Sequence, residues 1–491
     1  MMQVLSVAAE AYPLVKTGGL GDVVGALPGA LASHGVTVTT LLPGYPAVRD
    51  HIGDAPFVHR YGNLMGAEAR ILVSHINGNP LLVLDAPALF LRDGGIYGDR
   101  TGIDWPDNWR RFAALGRAAA DLASGAIPGW RFDLLHAHDW HAGLAPAYLR
   151  HAPGPTRATP SVMTIHNIAF QGRFDVSIFP LLGFPPSAYS INGLEYYGGV
   201  GFLKAGLASA HVITTVSPGY AREIQKPAFG MGLEGLIRSR AADVYGILNG
   251  IDPEIWNSQI DPALAARYDV QTLAARRFNK RAIESGFGLT SGEGPLFTVV
   301  SRLSGQKGMD MLADQVDLLV SLGARLALLG TGEAALETKF RAAATRHPGK
   351  VAVALGYDEK LSHLLQGGAD AILIPSRFEP CGLTQLYGLA YGCVPVAART
   401  GGLGDTIIDA NEAALTQGVA TGILFDGGTS DGLAYALQRA VSLYARSDAW
   451  SGLQVQGMRA DFSWRQSGAR YAELYSRLYE SNRAAPASPP A

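Results

Sequence analysis

Short apolar segments alternate with helical stretches along most of this chain, and this alternation constrains the fold more than any other feature. The apolar segments include QVLSVAAE, TVTTLLP and FDLLHAH in the first half and PLFTVVSR, RLALLG and AILIP in the second. Strands that are apolar along their whole length are buried on both faces, as in parallel sheets covered by helices. The sequence therefore predicts an α/β protein with doubly wound sheets.

The length of 491 residues suits two large domains of this kind. The segment YGILNGIDPE follows the last strand and helix of the first half and leads into a connection that contains Pro, Trp and Asp. We therefore expect domains over residues 1–245 and 246–461. A helix with apolar spacing is predicted over 462–481, and a flexible Pro- and Ala-rich tail over 482–491.

The composition excludes several classes of protein. With 40 Lys and Arg against 42 Asp and Glu, the chain lacks the positive charge that nonspecific nucleic-acid binding requires. No segment has transmembrane length, and Glu10 interrupts the apolar run that a secretory signal would need. The two cysteines, Cys381 and Cys393, are expected to be free thiols in a reducing compartment. We expect a cytoplasmic protein without nucleic-acid or membrane partners.

The hexapeptide Thr-Gly-Gly-Leu-Gly-Asp occurs twice, at residues 17–22 and 400–405. Each copy is predicted to follow a strand, with glycines that allow close backbone approach and an Asp where the next helix begins. Such a loop directs unpaired N–H groups and a helix dipole toward an anion. Two ordinary strand-to-helix turns are the alternative, but six identical residues favour one site built from two halves.

Charged side chains accompany the predicted strand ends. Lys16 precedes the first glycine loop, and Arg302 and Lys307 flank the turn in VVSRLSGQKG, where a diphosphate is the expected ligand. Glu379 follows the strand AILIP, where a carboxylate either caps the next helix or binds sugar hydroxyls. Any one of these cations alone would suit a solvated surface position. Their shared location at strand ends favours a binding site.

Six motifs in order resemble those of the bacterial glycogen synthases and plant starch synthases: KTGGLGDV, HAHDWH, TIHNIAFQG, LNGID, SRLSGQKG and RFEPCGLTQLYG. The resemblance covers nearly the whole chain. It implies a GT-B fold, in which two Rossmann-like domains enclose the active site in the cleft between them and a terminal helix returns to the first domain. It also implies transfer of glucose from ADP-glucose to the non-reducing end of an α-1,4-glucan such as glycogen, with retention of configuration and release of ADP.

The resemblance also implies roles for individual residues. Lys16 would bind the donor, Arg302 and Lys307 would contact its leaving phosphates, and Glu379 would bind the donor glucose. Because charge accumulates on the leaving diphosphate as the glycosidic bond breaks, fixed cations would stabilise the transition state more than the ground state. A retaining glycosidase would instead need two paired carboxylates, and no second acid is clearly paired with Glu379.

Further residues near the sugar and the nucleotide follow from the same resemblance. His166 would lie near the reactive centre of the sugar and Asp139 beside the transferred glucose, while Tyr357 would stack on adenine. Asn249 would lie in the cleft. Apart from these motifs, His166 would suit a core or capping position and Asn249 a turn. The other expected substrate-binding residues are Gly18, Gly19, Cys381, Gly382, Leu383 and Thr384.

The sequence suggests neither a cofactor nor a metal. Metal-dependent transferases of the other common fold use Asp-x-Asp, and no two aspartates have that spacing. One departure from the wider retaining GT-B pattern is Tyr387, which stands where a second Glu is expected and leaves the ribose contacts open. Because Cys381 adjoins Glu379, we also expect a bulky thiol reagent to inactivate the protein and ADP-glucose to protect it.

Other functions fit parts of this pattern. Another retaining GT-B enzyme, such as a UDP-sugar transferase or a glucan phosphorylase, is the nearest alternative, although no pyridoxal-phosphate lysine is recognisable. A non-catalytic glucan-binding protein is a second alternative, and the joint presence of Lys16, His166, Arg302, Lys307 and Glu379 argues against it. The oligomeric state is left open.

Overall fold

The computed structural model describes residues 1–151 and 159–484. Its strands, numbered in chain order, are β1 Met2–Val7, β2 Val36–Pro43, β3 Phe57–Leu64, β4 Ala67–Ile76, β5 Asn79–Asp85, β6 Leu134–His138, β7 Ser161–Ile165, β8 Arg173–Phe174, β9 Glu195–Tyr196, β10 Gly199–Gly201, β11 Val212–Thr215, β12 Val244–Gly246, β13 Leu296–Val300, β14 Arg325–Gly330, β15 Val351–Leu355, β16 Ala371–Ile374, β17 Val394–Ala398 and β18 Ile423–Phe425.

The α-helices are α1 Gly19–Ala32, α2 Pro46–Ile52, α3 Pro87–Phe90, α4 Asn108–Ala123, α5 Asp139–Ala142, α6 Leu144–His151, α7 Phe202–Ser209, α8 Pro218–Glu223, α9 Glu234–Ser239, α10 Arg276–Phe287, α11 Met309–Ser321, α12 Ala334–Arg346, α13 Glu359–Gly368, α14 Thr384–Ala390, α15 Gly401–Thr406, α16 Glu412–Thr416, α17 Ser430–Tyr444, α18 Ser447–Arg459 and α19 Trp464–Ala484. Short 3-10 helices lie at Val176–Leu182, Pro186–Ala188, Ala241–Asp243 and Leu273–Ala275.

The chain forms two compact units, neither of which is continuous in sequence. The first unit contains Met1–Val216, Ala221–Leu248 and the segment that begins at Trp464, and the second contains Ser217–Tyr220 and Asn249–Ser463. The four-residue segment of the second unit is therefore inserted into the sequence of the first. Of the tail expected over 482–491, residues 485–491 lie outside the described residues, and residues 482–484 belong to α19.

The first unit is built on a nine-stranded sheet in the order β12-β11-β7-β6-β1-β2-β5-β4-β3. Neighbouring strands from β12 to β5 are parallel, and the strand order reverses between β1 and β6. A separate three-stranded sheet has the order β8-β10-β9. Ligands of open parallel sheets bind beyond the carboxyl ends of the strands where the order reverses, which here are the ends of β1 and β6.

The strands β3 and β4 differ from the parallel arrangement expected from the sequence, because β4 is antiparallel to both β3 and β5. Only Met65 and Gly66 separate β3 from β4, and only Asn77 and Gly78 separate β4 from β5. All four residues have positive φ, as the central residues of type I′ hairpin turns do. A two-residue connection cannot span a parallel crossover, so this part of the sheet must be antiparallel.

The second unit has a fully parallel six-stranded sheet in the order β15-β14-β13-β16-β17-β18. The first strand of this unit is therefore central, and the order reverses between β13 and β16, as in dinucleotide-binding folds. Buried apolar side chains cover both faces of the sheet. The loops after β13 and β16 thus meet at the edge where a ligand is expected.

Helix α19 completes the core of the first unit. Its Trp464, Tyr471, Leu474 and Tyr475 are buried in the same apolar cluster as side chains of α1, β1, β2 and β6. The hydroxyl of Tyr475 lies 2.6 Å from Nδ1 of His136 on β6. The helix is therefore a structural part of the first unit.

Candidate active site

The loops that follow β13 and β16 bring a lysine and a glutamate together in the second unit. The ammonium of Lys307 lies 2.6 Å from Oε2 of Glu379 and donates a hydrogen bond to it. The Ser376 hydroxyl donates to the same oxygen at 2.9 Å. Because Glu379 is buried, this ion pair compensates a carboxylate that would otherwise be costly to remove from water.

Arg302 differs from Lys307, although the sequence predicts that the two act as one pair of cations. Its side chain is exposed. Within the part of the chain that the structure describes, its guanidinium has no hydrogen-bond or ion-pair partner. Arg302 is therefore available to an external anion without first breaking an internal contact.

The second glycine hexapeptide packs against the Glu379 loop instead of opening toward a ligand. Gly401 has a φ of +41°, and a side chain there would collide with the carbonyl oxygen of Glu379. A side chain at Gly402 would collide with the carbonyl oxygen of Cys381, and the Gly402 amide donates to the Glu379 carbonyl at 3.1 Å. The glycines of this copy thus allow two backbones to approach each other closely, which fixes the loop that carries Glu379.

The first hexapeptide has a different environment. Gly18 and Gly19 are exposed, and no atom lies within 4 Å of the position that a side chain would take at either residue. The Glu10 carboxylate accepts hydrogen bonds from the Thr17 amide at 2.5 Å and the Gly18 amide at 3.3 Å. The expectation that these amides are unpaired is therefore wrong, because an internal carboxylate already binds them.

The Asp residues of the two copies also differ. Asp22 lies in the first turn of α1 and its Oδ1 is 2.7 Å from the ammonium of Lys16. Asp405 is near the end of α15, where Oδ2 accepts a hydrogen bond from the Gly219 amide. Neither carboxylate caps a helix: α1 begins after Gly18 and has no side-chain cap, and neither has α15. The same hexapeptide sequence therefore adopts two different local structures.

In the first unit, Asp139 and His166 follow neighbouring parallel strands. β6 pairs with β7 in a register that places His138 opposite Thr164. Asp139 has a φ of +55°, which is uncommon for a residue with a side chain. Its Oδ1 accepts the backbone amides of His166 at 2.7 Å and Asn167 at 3.4 Å. Burial is the main cause that raises the pKa of Asp139 to about 7.

A chain of buried hydrogen bonds supports the His166 ring. Nε2 of His166 lies 3.0 Å from Nδ1 of His138, and Nε2 of His138 lies 3.2 Å from the Ser6 hydroxyl. Burial lowers the pKa of His166 to about 3 and that of His138 well below its ordinary value. His166 is therefore neutral near pH 7, and one of its two ring nitrogens already has a partner.

The other sequence-predicted residues lie in several places in the second unit. Tyr357 follows the edge strand β15 and is 73% exposed. Asn249 is buried, and its Oδ1 has no hydrogen-bond partner among the described residues. Gly382 has a φ of +72°, and Leu383 and Thr384 begin α14.

Cys381 is not the accessible thiol that is expected from the sequence. It is buried, and burial raises the pKa of its thiol to about 12. Thiolate is the reactive form of cysteine. The expected inactivation by a bulky thiol reagent therefore conflicts with the structure.

The sequence did not reveal several residues that contact predicted site residues or their loops within one unit or the other. They are Glu10, Tyr97, His138, His141 and Ser376. The Tyr97 hydroxyl donates to Glu10 at 2.5 Å, and the Tyr97 ring stacks on His141 with centroids 4.7 Å apart. Glu10 could have been noticed in the sequence, because it lies three residues after the strand β1 in an apolar segment, and a carboxylate buried there needs hydrogen-bond partners.

Neither a metal site nor a membrane span is evident in residues 1–151 and 159–484. No three His, Cys, Asp or Glu residues in these ranges lie close enough together to hold a metal ion. No helix among them is long and apolar enough to cross a bilayer.

Comparisons with known proteins match both halves of the chain. Residues 3–239 match the family model described as the starch synthase catalytic domain, and residues 282–451 match that of the glycosyl transferases group 1. The chain is 61% identical to the glycogen synthase of Novosphingobium aromaticivorans, over 97% of this chain and 99% of that protein. It is 58% identical to glycogen synthase 1 of Rhizobium meliloti, over 97% and 99%.

A solved structure agrees with these sequence matches. The catalytic domain of starch synthase IV from Arabidopsis thaliana, bound to ADP and acarbose, superimposes with a TM-score of 0.86 at 30% identity. The superposition covers 98% of this chain and 99% of that domain.

Proposed function

This chain belongs to the family of bacterial glycogen synthases and plant starch synthases, and we propose that it transfers glucose from ADP-glucose to the non-reducing end of an α-1,4-glucan. Membership makes the chain a GT-B hexosyltransferase that uses a nucleotide-sugar donor and a glucan acceptor. The choice of ADP-glucose, retention of configuration and release of ADP belong to the proposal. The ADP in the starch synthase IV structure supports that donor.

The observation that carries the proposal is the arrangement of charges between β13 and β16. Lys307 pairs with Glu379, while Arg302 is exposed and has no side-chain partner within the described ranges. We propose that Arg302 and Lys307 bind the leaving diphosphate. An ammonium has three donors, so Lys307 can retain Glu379 while it donates to a phosphate oxygen.

Fixed cations of this kind favour departure of the diphosphate. As the glycosidic bond breaks, negative charge grows on the leaving oxygen, and cations placed beforehand stabilise that charge without reorganising. In the proposal, Glu379 binds the donor glucose through its hydroxyls and Lys16 is a further ligand of the donor.

His166 and Asp139 are proposed to act at the sugar. A neutral imidazole can donate or accept a hydrogen bond without adding positive charge near the reacting carbon. Asp139 fixes the backbone of His166 through the hydrogen bond from the His166 amide to Oδ1. Tyr357 is proposed to stack on adenine, since most of its side chain is exposed.

The remaining predicted contacts are part of the same proposal. Asn249 is proposed to bind the donor through its unpartnered Oδ1, and the amides at the start of α14 are proposed to contact the phosphates. The corresponding residues are Cys381, Gly382, Leu383 and Thr384. We also infer a cytoplasmic location, which is supported by two buried free cysteines.

Transfer of radiolabelled glucose to glycogen tests the proposal directly. ADP-glucose and UDP-glucose are supplied in parallel, and the product is digested with a glucosidase specific for α-1,4 linkages. We expect label from ADP-glucose to enter glycogen and to be released by that digestion. Arg302→Ala serves as the control for contaminating activity. The proposal would be overturned if label entered glycogen from neither donor, or if the incorporated label resisted the digestion.

A further inference from the structure

Glu10 combines deep burial with an unusual number of hydrogen-bond donors. It lies three residues beyond β1 and is 3% exposed. Its Oε2 accepts the amides of Thr17 and Gly18, and its Oε1 accepts the Thr17 hydroxyl at 2.6 Å and the Tyr97 hydroxyl at 2.5 Å. All four donors are neutral, so the carboxylate is satisfied by hydrogen bonds from two separate segments of the first unit.

The loop that Glu10 holds is also tied at Lys16, whose ammonium forms an ion pair with Asp22 of α1 at 2.7 Å. Its base is tied by a bridge between Ala11 and Val15, but residues 16–19 are exposed. No atom lies within 4 Å of the side-chain position at Gly18 or Gly19. Glycine-rich backbone has high conformational entropy, and the Glu10 carboxylate restricts it because it binds the Thr17 and Gly18 amides directly.

The other partner of Glu10 is rigidly held. The Tyr97 carbonyl accepts hydrogen bonds from the Trp105 amide at 3.0 Å and from Nδ2 of Asn108 at 2.8 Å. The Tyr97 ring stacks on His141 in α5, the helix that begins with Asp139. Burial raises the pKa of Tyr97 well above its ordinary value, so the hydroxyl stays protonated and donates to Glu10.

We propose that Glu10 is a positioning residue of the donor site, which holds the loop of residues 16–19 in its binding conformation before the donor arrives. The inference rests on the proposed function, in which Lys16 is a ligand of the donor. Because Glu10 occupies the amides of Thr17 and Gly18, these amides do not bind the donor phosphates. A loop that is ordered in advance lowers the entropy cost of binding, so Glu10 strengthens donor binding through Lys16.

Amide exchange tests the hold on the loop without any measurement of activity. Glu10→Gln keeps the side-chain shape but replaces one acceptor oxygen by a donor group. We expect hydrogen exchange in the segment around Thr17 and Gly18 to become at least tenfold faster in the folded variant. Native-state cleavage by trypsin after Lys16 should accelerate to a similar degree. Unchanged exchange and cleavage would overturn the proposal.

Steady-state kinetics test whether the contacts of Glu10 with the loop strengthen binding of the donor. In Glu10→Gln we expect the KM for the nucleotide sugar to rise at least tenfold, while the KM for glycogen stays within twofold and kcat within threefold. Tyr97→Phe removes one of four donors and should give a smaller rise. A general loss of folding would instead lower the apparent kcat together with the Tm and leave both KM values unchanged, and that result would contradict a positioning role.

A matched control exists in the same unit. The Tyr61 hydroxyl donates to Oδ2 of Asp121 at 3.3 Å, so Tyr61→Phe and Asp121→Asn remove a tyrosine–carboxylate contact of the same kind. Both variants should keep the donor KM within twofold of the unsubstituted protein. If the unsubstituted protein transfers glucose from neither donor, the proposed function fails, whereas faster exchange in Glu10→Gln would still show that Glu10 holds the loop.

Discussion

Lys307 and Arg302 have the same charge but different side-chain contacts in the folded chain. Lys307 neutralises a buried carboxylate, whereas Arg302 has no side-chain partner in the described part of the chain. If Lys307 stabilises both the fold and the transition state, its removal should lower stability and turnover together. If Arg302 stabilises only the transition state, its removal should lower turnover alone.

Alanine substitutions should separate these two cases. Arg302→Ala should raise the activation free energy by about 3 kcal/mol, and so lower kcat, but it should leave the free energy of unfolding unchanged. Lys307→Ala should lower kcat as well and should also cost about 2 kcal/mol of stability, below the ~3–5 kcal/mol of a fully buried pair, since Lys307 keeps 20% of its side chain exposed. Turnover and urea unfolding of both variants give the comparison. Equal losses of stability would contradict it.

The cysteines provide a second prediction at this scale. Burial raises the pKa values of Cys381 and Cys393 to about 12, so very little thiolate exists near pH 7. We expect a bulky disulfide reagent to label neither thiol within minutes in the native protein and to label both in denaturant. Rapid native labelling that Cys381→Ser abolishes would show that the site opens further than the structure indicates.

At the scale of elements, the loops after β13 and β16 carry Lys307 and Glu379 in the second unit, and in the first unit Asp139 and His166 directly follow β6 and β7. The strands themselves were predictable, because parallel strands buried on both faces leave continuous apolar runs in the sequence. The hairpin of β3 and β4 was not predicted, since β3 is largely exposed and β4 mixes buried with exposed residues, so neither forms a continuous apolar run. The Asn77-Gly78 turn was a signal that could have revealed the adjoining hairpin of β4 and β5.

The residue types at strand ends were also predictable, but their partners were not. Hydrogen bonds such as that of Lys307 to Glu379 join residues far apart in sequence. The same holds for Glu10, whose partners include Tyr97. Motif spacing contains no information about such contacts, because they depend on how loops from different strands pack. Identical hexapeptides were therefore expected to act alike.

The two hexapeptides allow one substitution to be compared at equivalent positions. Gly401→Ala should destabilise the second unit by at least about 2 kcal/mol, because its φ is +41° and a side chain would collide with the Glu379 carbonyl. Gly18→Ala should change stability by less than about 1 kcal/mol, since Gly18 has extended φ and open space around it. Urea unfolding of both variants measures the difference. Similar effects at both positions would contradict the structural distinction.

At the scale of the whole molecule, each unit has its own apolar core, but buried histidines are concentrated in the first. His136 and His166 have pKa values lowered to about 3, and burial also lowers the pKa values of His138 and His141. The unfolded chain therefore binds protons at these histidines from about pH 6.5 downward, while the folded chain does not.

This difference predicts how stability depends on pH. As the pH falls from 6.5 toward 3, each of these histidines favours unfolding by about 1 kcal/mol per pH unit. Asp139 acts in the opposite direction, because its raised pKa of about 7 makes the folded chain bind a proton first. Burial also raises the pKa of Asp121. Since four histidines oppose these two carboxyls, the free energy of unfolding should fall between pH 6.5 and 5. Urea titrations at three pH values test this, and a flat profile would contradict it.

The discontinuity of the first unit has a consequence for synthesis on the ribosome. Residues up to Leu248 emerge early, yet the core of that unit requires Tyr471, Leu474 and Tyr475 of α19. More than 200 residues lie between Leu248 and Trp464. At a translation rate of about 5–20 residues per second, these residues take on the order of 10–40 s. During that time the nascent chain exposes the apolar groove that α19 later fills, so the unit that is translated first is the last to complete its core.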